Sequence, residues 1–188
     1  MSKSILITGC SSGIGLDAAR SLRKLGWQVF ASCRQQEDCD RLKEEGFASP
    51  RIDYCDADSI RTGLAETLEE TGGTLDAVFN NGAHQLPGLV EDLPTDGLRA
   101  IFEANFFGWH DLTQQIIPVM RRQGHGHIVQ CSSGLGFLAI PWRGAYTATK
   151  HALEGLIEGL KAELAGTGSA TVKSPAIKIA GMTQFSPS

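Results

Sequence analysis

The fold of this chain is decided by the stretch Ser4-Ile-Leu-Ile-Thr8-Gly9-Cys10-Ser11-Ser12-Gly13-Ile14-Gly15. It opens on a mostly apolar run that predicts a short strand, and the amphipathic residues after Gly15 predict a helix. Glycines let the backbone turn sharply and approach a ligand closely, and the helix N-terminus then presents free N–H groups to a diphosphate. The stretch therefore indicates a dinucleotide-binding turn, with a ligand-free glycine turn as the alternative.

Strands and helices alternate along the rest of the chain. Further strands are predicted at 28–32, in a short segment ending at Asp53, at 75–81 and at 126–131, and helices at 37–45, 58–70 and 95–123. This alternation indicates parallel β-α-β units. The expected fold class is therefore α/β, a Rossmann-like doubly wound parallel sheet flanked by helices. Ligands of such sheets bind outside the carboxyl ends of the strands, where Asn80-Asn81 and Ser132-Ser133 stand.

The bulk properties narrow the class of function. A chain of 188 residues suits one domain, and its formal net charge of -4 gives no electrostatic support for binding nucleic acid. No apolar run is long enough to span a membrane, and no ligand-type side chain stands at metal spacing beside His125 and His127. The five cysteines form no Cys-x-x-Cys pair. We expect a cytoplasmic protein without nucleic-acid partner, membrane span or metal.

The end of the second strand bears on cofactor choice. It reads Ala31-Ser32-Cys33-Arg34, without a carboxylate that would accept from a ribose 2′-hydroxyl. Arg34 is available for a bidentate contact with a 2′-phosphate. The sequence therefore favours NADP, with NAD possible, and Arg34 as an ordinary surface charge is the alternative.

Two later features place polar groups on apolar faces. Tyr146 and Lys150 stand four residues apart, so on a helix they are neighbours on one face, and that face continues into an apolar stripe. Buried titratable groups with this spacing suit a catalytic acid or base, whereas a packing tyrosine beside a lysine that reaches solvent is the alternative. Asn105 lies on the apolar stripe of the 95–123 helix, either as a satisfied core amide or as a residue that orders a site.

Taken together, these residues resemble the short-chain dehydrogenase/reductase family, in its branch with Thr-Gly-x-x-x-Gly-Ile-Gly at 8–15. The resemblance covers residues 3 to about 165. Besides Tyr146-x-x-x-Lys150, the matches include Asp53 at the position where the family contacts adenine with an acidic residue, and the pair Asn80-Asn81. They also include Asn105, within Glu-Ala-Asn-Phe-Phe-Gly, and Ser133, which stands thirteen residues before Tyr146. The interval to Tyr146 favours Ser133 over Ser132.

The resemblance implies hydride transfer between a nicotinamide and a small-molecule carbonyl or secondary alcohol. Tyr146 would be the acid or base, Lys150 would lower its pKa and bind ribose, and Ser133 would orient the substrate oxygen. Asn105 would support a water relay to Lys150. The implied cofactor contacts are Gly9, Ser11, Ser12, Gly13, Ile14, Gly15, Arg34, Asp53, Asn81, Gly82, Tyr146 and Lys150. Relatives associate through the two long helices, so a homo-oligomer is expected.

Two apolar segments bear on the substrate. Residues 134–142 lie between Ser133 and Tyr146, and residues 84–93 follow the Asn-Asn pair. Both are rich in leucine and other apolar side chains, which slightly favours an apolar substrate. Ordinary packing under a loop is the alternative.

The chain departs from the family pattern in two places. Gly82-Ala83 reverses the usual Ala-Gly, so a backbone that needs a positive φ at the later position would be strained at Ala83. Residues 166–188 lose the family pattern, although Val172 allows a short strand. We therefore expect a catalytic NAD(P)-binding domain at 1–165 and a tail at 166–188 that is disordered or frame-altered, which leaves the fold truncated. The alternative function is a silent dinucleotide-binding or oligomerising protein.

Overall fold

A computed structural model describes residues 2–165 and 171–173. In chain order the elements are β1 (Ser4–Ile7), α1 (Gly13–Lys24), β2 (Gln28–Ala31), α2 (Gln36–Glu44), α3 (Ala57–Glu70), β3 (Ala77–Asn80), α4 (Thr95–Phe102), α5 (Gly108–Gln123), β4 (His127–Gln130), α6 (Gly144–Leu164) and β5 (Thr171–Lys173). Short 3-10 turns occupy Val90–Asp92 and Gly134–Gly136. The alternation expected from the sequence is confirmed.

The strands form one parallel sheet in the order β2-β1-β3-β4-β5. Leu6 on β1 pairs with Phe30 on β2 and with Val78 on β3. The chain thus moves outward from β1 in one direction and then returns to continue on its other side, which is the doubly wound, Rossmann-like arrangement. The predicted fold class is confirmed, and the carboxyl ends of β1, β3 and β4 lie side by side.

The predicted strand that ends at Asp53 is wrong as a regular element. This segment makes only isolated bridges beside β2, at Ala48 and at Arg51. The reason is Pro50, which has no N–H to donate to the ladder. The hydroxyl of Ser49 donates instead to the Ala31 carbonyl at 2.6 Å. The segment still follows the edge of β2 and delivers Asp53 to the same end of the sheet.

Alternate residues of β1 face two separate cores. Leu6 packs with buried side chains of α3, α5 and α6, whereas Ile5 and Ile7 pack with buried side chains of α1 and α2. This division follows from the two-residue period of a strand covered by helices on both faces. The sheet is therefore buried on both sides, and its carboxyl edge remains the accessible place for a site.

The long helical pattern at 95–123 contains an interruption. Between α4 and α5, residues Glu103–Phe107 form a π-helical turn that includes Asn105. One extra residue per turn shifts the helix face, and such turns occur often at functional sites. The predicted continuous helix is therefore confirmed in extent, with a local change of helical type at the buried Asn105.

The strand predicted around Val172 is present as β5, which pairs in parallel with β4. Residues 166–170 and 174–188 of the predicted tail lie outside the described residues, as does the proposed disorder or altered frame.

Candidate functional site

The glycine turn after β1 has little room for side chains. Gly9 has a φ of 67°, and a Cβ there would stand 2.6 Å from the Cα of Gly82. A Cβ on Gly15 would stand 2.5 Å from the carbonyl oxygen of Gly9. Because real Cβ atoms do not approach this closely, both positions need glycine. Gly13 has a φ of 60° but open space around it.

The N-terminus of α1 is available to an anion. Its N-cap residue, Ser12, makes no side-chain capping hydrogen bond within the described residues, and the first turn carries no acidic side chain. Ile14 is 57% exposed. Unpaired N–H groups and the positive end of the helix dipole favour a phosphate at such an end. The residues present therefore fit the diphosphate of a dinucleotide.

A cavity of about 220 Å³ opens beside this turn. It brings together five of the sequence-predicted cofactor residues: Gly9, Ser11, Arg34, Asp53 and Gly82. The Asp53 carboxylate accepts from the backbone N–H of Cys55 at 3.0 Å and lies 3.9 Å from the Arg51 guanidinium. The exposed Arg34 places a positive charge at the same cavity. The cavity therefore offers one acidic and one basic group to a ligand.

Asn81 joins the end of β3 to the glycine turn. Its amide Nδ2 donates to the carbonyls of Thr8 and Gly9 at 3.1 and 3.3 Å, and its backbone N–H donates to Thr8 Oγ1 at 3.0 Å. The strain considered for Ala83 is not observed: among the described residues, Trp142 is the non-glycine residue with a positive φ. Ala83 does not have a positive φ, so the reversed Gly82-Ala83 order introduces no backbone strain of this kind.

Tyr146 and Ser133 meet across the gap between β4 and α6. Tyr146 is partly buried, and this burial raises the pKa of its phenol, while an interaction with the Ser133 side chain opposes the shift. Ser133 Oγ also accepts from the N–H of Leu135 at 3.2 Å. By contrast, the buried Ser132 hydroxyl has no hydrogen-bond partner among the described residues. The contact therefore agrees with the choice of Ser133 over Ser132.

Lys150 is buried, with 1% of its surface exposed. Its Nζ donates to the Cys131 carbonyl at 2.8 Å and lies 5.7 Å from the centroid of the Tyr146 ring. Burial lowers the pKa of Lys150 to about 8. Burial is the largest influence on the Tyr146 phenol and raises its pKa, and the lowering of that pKa by Lys150 stays a prediction.

Asn105 holds backbone rather than Lys150. Its Oδ1 accepts from the N–H of His84 at 3.0 Å and its Nδ2 donates to the His84 carbonyl at 2.9 Å. Nδ2 also lies 3.4 Å from the Thr149 hydroxyl on α6. Both polar atoms of this amide are thus hydrogen-bonded, and they fix the segment after Gly82 against α6. The predicted water relay stays a prediction.

Two residues of the site escape the sequence patterns. Trp109 lies within the helix predicted at 95–123, and its indole Nε1 donates to the Gly82 carbonyl at 2.8 Å. The Tyr54 hydroxyl lies 2.6 Å from Thr8 Oγ1 and donates to Asn80 Oδ1 at 2.6 Å. Periodicity identifies a buried face but carries no information on the polar atom of an aromatic side chain. The one available signal was an aromatic residue directly after Asp53.

The two apolar segments expected beside the substrate meet in space. The backbone N–H of Gly88 donates to the Trp142 carbonyl at 3.1 Å, and the Arg143 guanidinium donates to the Gln85 side chain. Several apolar side chains of these segments are exposed: Leu89, Val90, Phe137, Ile140 and Trp142. Tyr146 lies in the first turn of α6, directly after the second of these segments, and we call this set of exposed apolar side chains the apolar mouth.

Titration of Lys150 predicts a stability profile. Because its pKa of about 8 in the folded chain lies below the ordinary 10.5, the unfolded chain binds more protons between these values, and stability rises with pH. We expect the unfolding free energy of the parent, relative to Lys150→Met, to increase by about 2 kcal/mol between pH 8 and pH 9.5. Urea denaturation at several pH values measures this difference.

The comparison with Lys150→Met removes the titration of the cysteines, which both chains share. The usable window ends near pH 10, since the raised pKa of Tyr146 makes stability fall at higher pH. Parallel pH profiles for the two chains would show that Lys150 is not a buried titrating group.

Residues 2–165 and 171–173 were searched for a metal site and for a membrane-spanning helix, and neither was found. No group of three or more His, Cys, Asp or Glu side chains there is arranged to hold a metal ion. Within the same residues, no helix has the length and apolar character needed to span a membrane.

Comparison with known proteins identifies relatives of the whole described region. A family model described as short chain dehydrogenase matches residues 3–184. The uncharacterized oxidoreductase YbbO of Escherichia coli (strain K12) is 40% identical over 168 residues, which are 89% of this chain and 62% of YbbO. Retinol dehydrogenase 8 of Homo sapiens is 34% identical over 172 residues, 86% of this chain and 54% of that protein. The chain therefore spans between half and two thirds of these relatives' length.

Solved structures show the same fold. A short-chain dehydrogenase from Streptomyces avermitilis superposes with a TM-score of 0.85 at 34% identity, covering 93% of this chain and 64% of that one. A gluconate 5-dehydrogenase from Burkholderia cenocepacia, in complex with NADP and tartrate, has a TM-score of 0.79 at 28% identity over 93% and 71%. A Burkholderia phymatum relative in complex with NAD has a TM-score of 0.85 at 25% identity over 93% and 65%.

Proposed function

The chain belongs to the short-chain dehydrogenase family, and from this premise we propose that it is an NADP-preferring oxidoreductase that acts on a carbonyl or secondary alcohol. The observation that carries the proposal is the position of Tyr146. Its partly buried phenol interacts with the Ser133 side chain and stands on the same helical face as the buried Lys150, whose Nζ lies 5.7 Å from the Tyr146 ring centroid. Solved relatives with bound NADP or NAD support a nicotinamide cofactor. The proposed catalytic unit is residues 1–165.

The proposed chemistry assigns each side chain a separate task. Tyr146 donates its phenolic proton to the carbonyl oxygen during reduction and accepts it during oxidation. Ser133 donates a hydrogen bond to the same oxygen and so orients it. The Lys150 ammonium stabilises the phenolate by its charge and binds ribose. Asn105 keeps the segment after Gly82 in place through the His84 backbone. When bound, the nicotinamide supplies or accepts the hydride.

The proposed cofactor site extends along the carboxyl edge of the sheet. The α1 N-terminus would bind the diphosphate through Gly9, Ser11, Ser12, Gly13, Ile14 and Gly15. Asp53 would contact the adenine, and Asn81 and Gly82 would border the path toward Lys150. The support is the close packing of the glycines, the uncapped helix end and the cavity of about 220 Å³ that Asp53, Gly82 and Arg34 share.

NADP preference rests on Arg34. Its exposed guanidinium lines the cavity, and the adjoining segment of β2 carries no carboxylate. A charge-assisted contact with the 2′-phosphate contributes about 1.5–3 kcal/mol, so Arg34→Glu should lower the NADPH/NADH affinity ratio by about 10- to 100-fold. Fluorescence titration with both dinucleotides measures the ratio. Arg61→Glu makes the same charge change on a remote exposed turn of α3 and should leave it unchanged. An unchanged ratio in Arg34→Glu would refute the preference.

An apolar substrate is the favoured class. Supporting it are the exposed side chains of the mouth, among them Val90, Phe137 and Trp142, which are 74%, 63% and 62% exposed. The similarity to a protein named retinol dehydrogenase 8 points the same way. Turnover of NADPH and NADH with a panel of aldehydes, ketones and alcohols of increasing apolar length tests the proposal. We expect kcat/KM to rise with apolar length.

We also propose that the chain forms a homo-oligomer and that it is located in the cytoplasm. A groove of about 410 Å³ between α5 and α6, lined by Ile117, Leu156 and Leu160 among others, supports association through these helices. The five cysteines are free thiols, which supports a reducing compartment.

The second candidate is a catalytically silent dinucleotide-binding or oligomerising protein. The observation in its favour is the exposure of the apolar mouth beside Tyr146, since an open site admits water and positions substrate less well. Binding of NADPH without turnover of any substrate in the panel would favour this second function over the first.

A further inference from the structure

Trp109 connects two parts of the proposed cofactor site. It lies at the start of α5, directly after the π-helical turn, and none of its surface is exposed. Its indole Nε1 donates to the Gly82 carbonyl at 2.8 Å. The bond reaches the turn after β3 at the residue that packs on Gly9. An N–H on a core aromatic therefore holds the backbone at the edge of the cofactor cavity.

The ring of the same residue lies beside the buried amine. Lys150 Nζ is 4.1 Å from the centroid of the Trp109 ring, well within the range of a cation–π interaction. The ammonium has three donors, and the Cys131 carbonyl takes one of them. Tryptophan offers the strongest aromatic face for a cation, and the effect grows when the pair is desolvated, as it is here. The ring therefore compensates part of the cost of burying this charge.

Both interactions depend on a fixed ring. The Tyr54 ring packs on Trp109 with centroids 6.0 Å apart and planes inclined by 43°. Gly108 permits this approach, because a Cβ at that position would collide with the backbone of Tyr54. Tyr54 is itself held by its hydroxyl between Thr8 and Asn80. Tyr54, which is bonded to Thr8 beside the glycine turn, therefore fixes the plane of the Trp109 ring.

We infer that Trp109 is a positioning residue that holds the Lys150 ammonium against its ring and the Gly82 turn through its indole N–H, fixing the spacing between the two. The inference rests on the proposed function for the roles of Lys150 and Gly82. A leucine or methionine at 109 would fill the core but supply neither the π face nor the N–H. A phenylalanine would supply the face alone, which separates the two contributions.

The pKa of Lys150, measured without any cofactor, reports the contact between its ammonium and the Trp109 ring. The groups that face its ammonium are the Cys131 thiol at the end of β4, Glu154 and Tyr146 on α6, and the Trp109 ring on α5. Removing the π face disfavours the charged amine, so Trp109→Met should lower the Lys150 pKa by about one further unit. Trp109→Phe should keep it within about half a unit of the parent.

NMR of protein labelled with ¹³C-lysine follows this titration, and the signal is assigned by its loss in Lys150→Met. Ile116→Val, a small change in the buried part of the same helix, is the matched control and should leave the Lys150 signal unmoved. Equal Lys150 titrations in the parent, Trp109→Phe and Trp109→Met would overturn the inference, as would an equal displacement in Ile116→Val.

NADPH affinity reports the hydrogen bond from the Trp109 indole N–H to the Gly82 carbonyl. Trp109→Phe deletes the donor to the Gly82 carbonyl, so its Kd for NADPH should rise about 3- to 10-fold while the Lys150 titration stays near that of the parent. An unchanged Kd in Trp109→Phe would refute the role of the indole N–H even if Trp109→Met does not fold. If the parent binds neither NADPH nor NADH, the proposed function fails, and the Lys150 titration alone decides the inference.

Discussion

Tyr146→Phe is expected to lower turnover by at least about 10²-fold while changing NADPH affinity by less than about 3-fold. The substitution removes the proton donor and keeps the ring, which lies 5.7 Å from the Lys150 amine. The loss should appear in kcat and kcat/KM alike, because the phenol acts on the reacting oxygen in the transition state. Steady-state kinetics with the best substrate of the panel, together with dinucleotide titration, measures both quantities.

The chain offers a matched comparison, since its other tyrosine is Tyr54. Tyr54→Phe deletes the same hydroxyl at a partly buried position where it bonds Thr8 and Asn80. We expect this variant to lose about 1–3 kcal/mol of unfolding free energy, because two buried polar groups lose a partner. A catalytic loss unique to Tyr146→Phe supports the acid–base role. Equal residual turnover in Tyr146→Phe and the parent would exclude it.

Gly9→Ala is expected to abolish dinucleotide binding at millimolar concentrations. The new Cβ would stand 2.6 Å from the Cα of Gly82 and would also force alanine into a φ of 67°. The clash is between two backbone segments, so relief requires the β1 turn and the β3 turn to separate, which opens the surface proposed for the diphosphate. Isothermal titration with NADPH and NADH measures the loss.

Gly72→Ala is the control for the backbone strain. Gly72 has a φ of 68°, but no atom lies within 4 Å of an added Cβ, and it stands after α3, away from the carboxyl edge of the sheet. Both variants should lose about 1–2 kcal/mol of stability from the unfavourable φ, and only Gly9→Ala should lose the ligand. If both variants bind NADPH as the parent does, the glycine turn is not the diphosphate site.

Much of this architecture follows from local patterns. Strand and helix positions were predictable because apolar periodicity changes from continuous runs in β1 and β3 to a helical stripe in α5 and α6. The absence of a regular strand before Asp53 was not predictable from such patterns. Pro50 is a single residue, and its missing backbone N–H matters only for the hydrogen bonds that the segment would make with a neighbouring strand. The family resemblance, rather than periodicity, supplied the pairing of Ser133 with Tyr146.

The electrostatics of the site were less predictable. Motif spacing places Lys150 beside Tyr146, but the pKa of the phenol depends on how deeply the ring is buried, which no interval between residues encodes. Asn105 was recognised as a polar residue on a core stripe, yet its partner, the backbone of His84, lies in a loop without periodic pattern. Contacts between backbone atoms and side chains distant in the sequence can be identified only from the three-dimensional structure.

The hydrogen bonds that run from Thr8 through Tyr54 to Asn80 also constrain how the sheet assembles. A slip of one residue between β1 and β3 would turn Asn80 toward the opposite face and leave the Tyr54 hydroxyl buried without an acceptor. The apolar residues of both strands tolerate such a slip far better, because one aliphatic side chain replaces another. This small polar cluster therefore favours the observed register of β1 and β3 over one that is shifted by a residue.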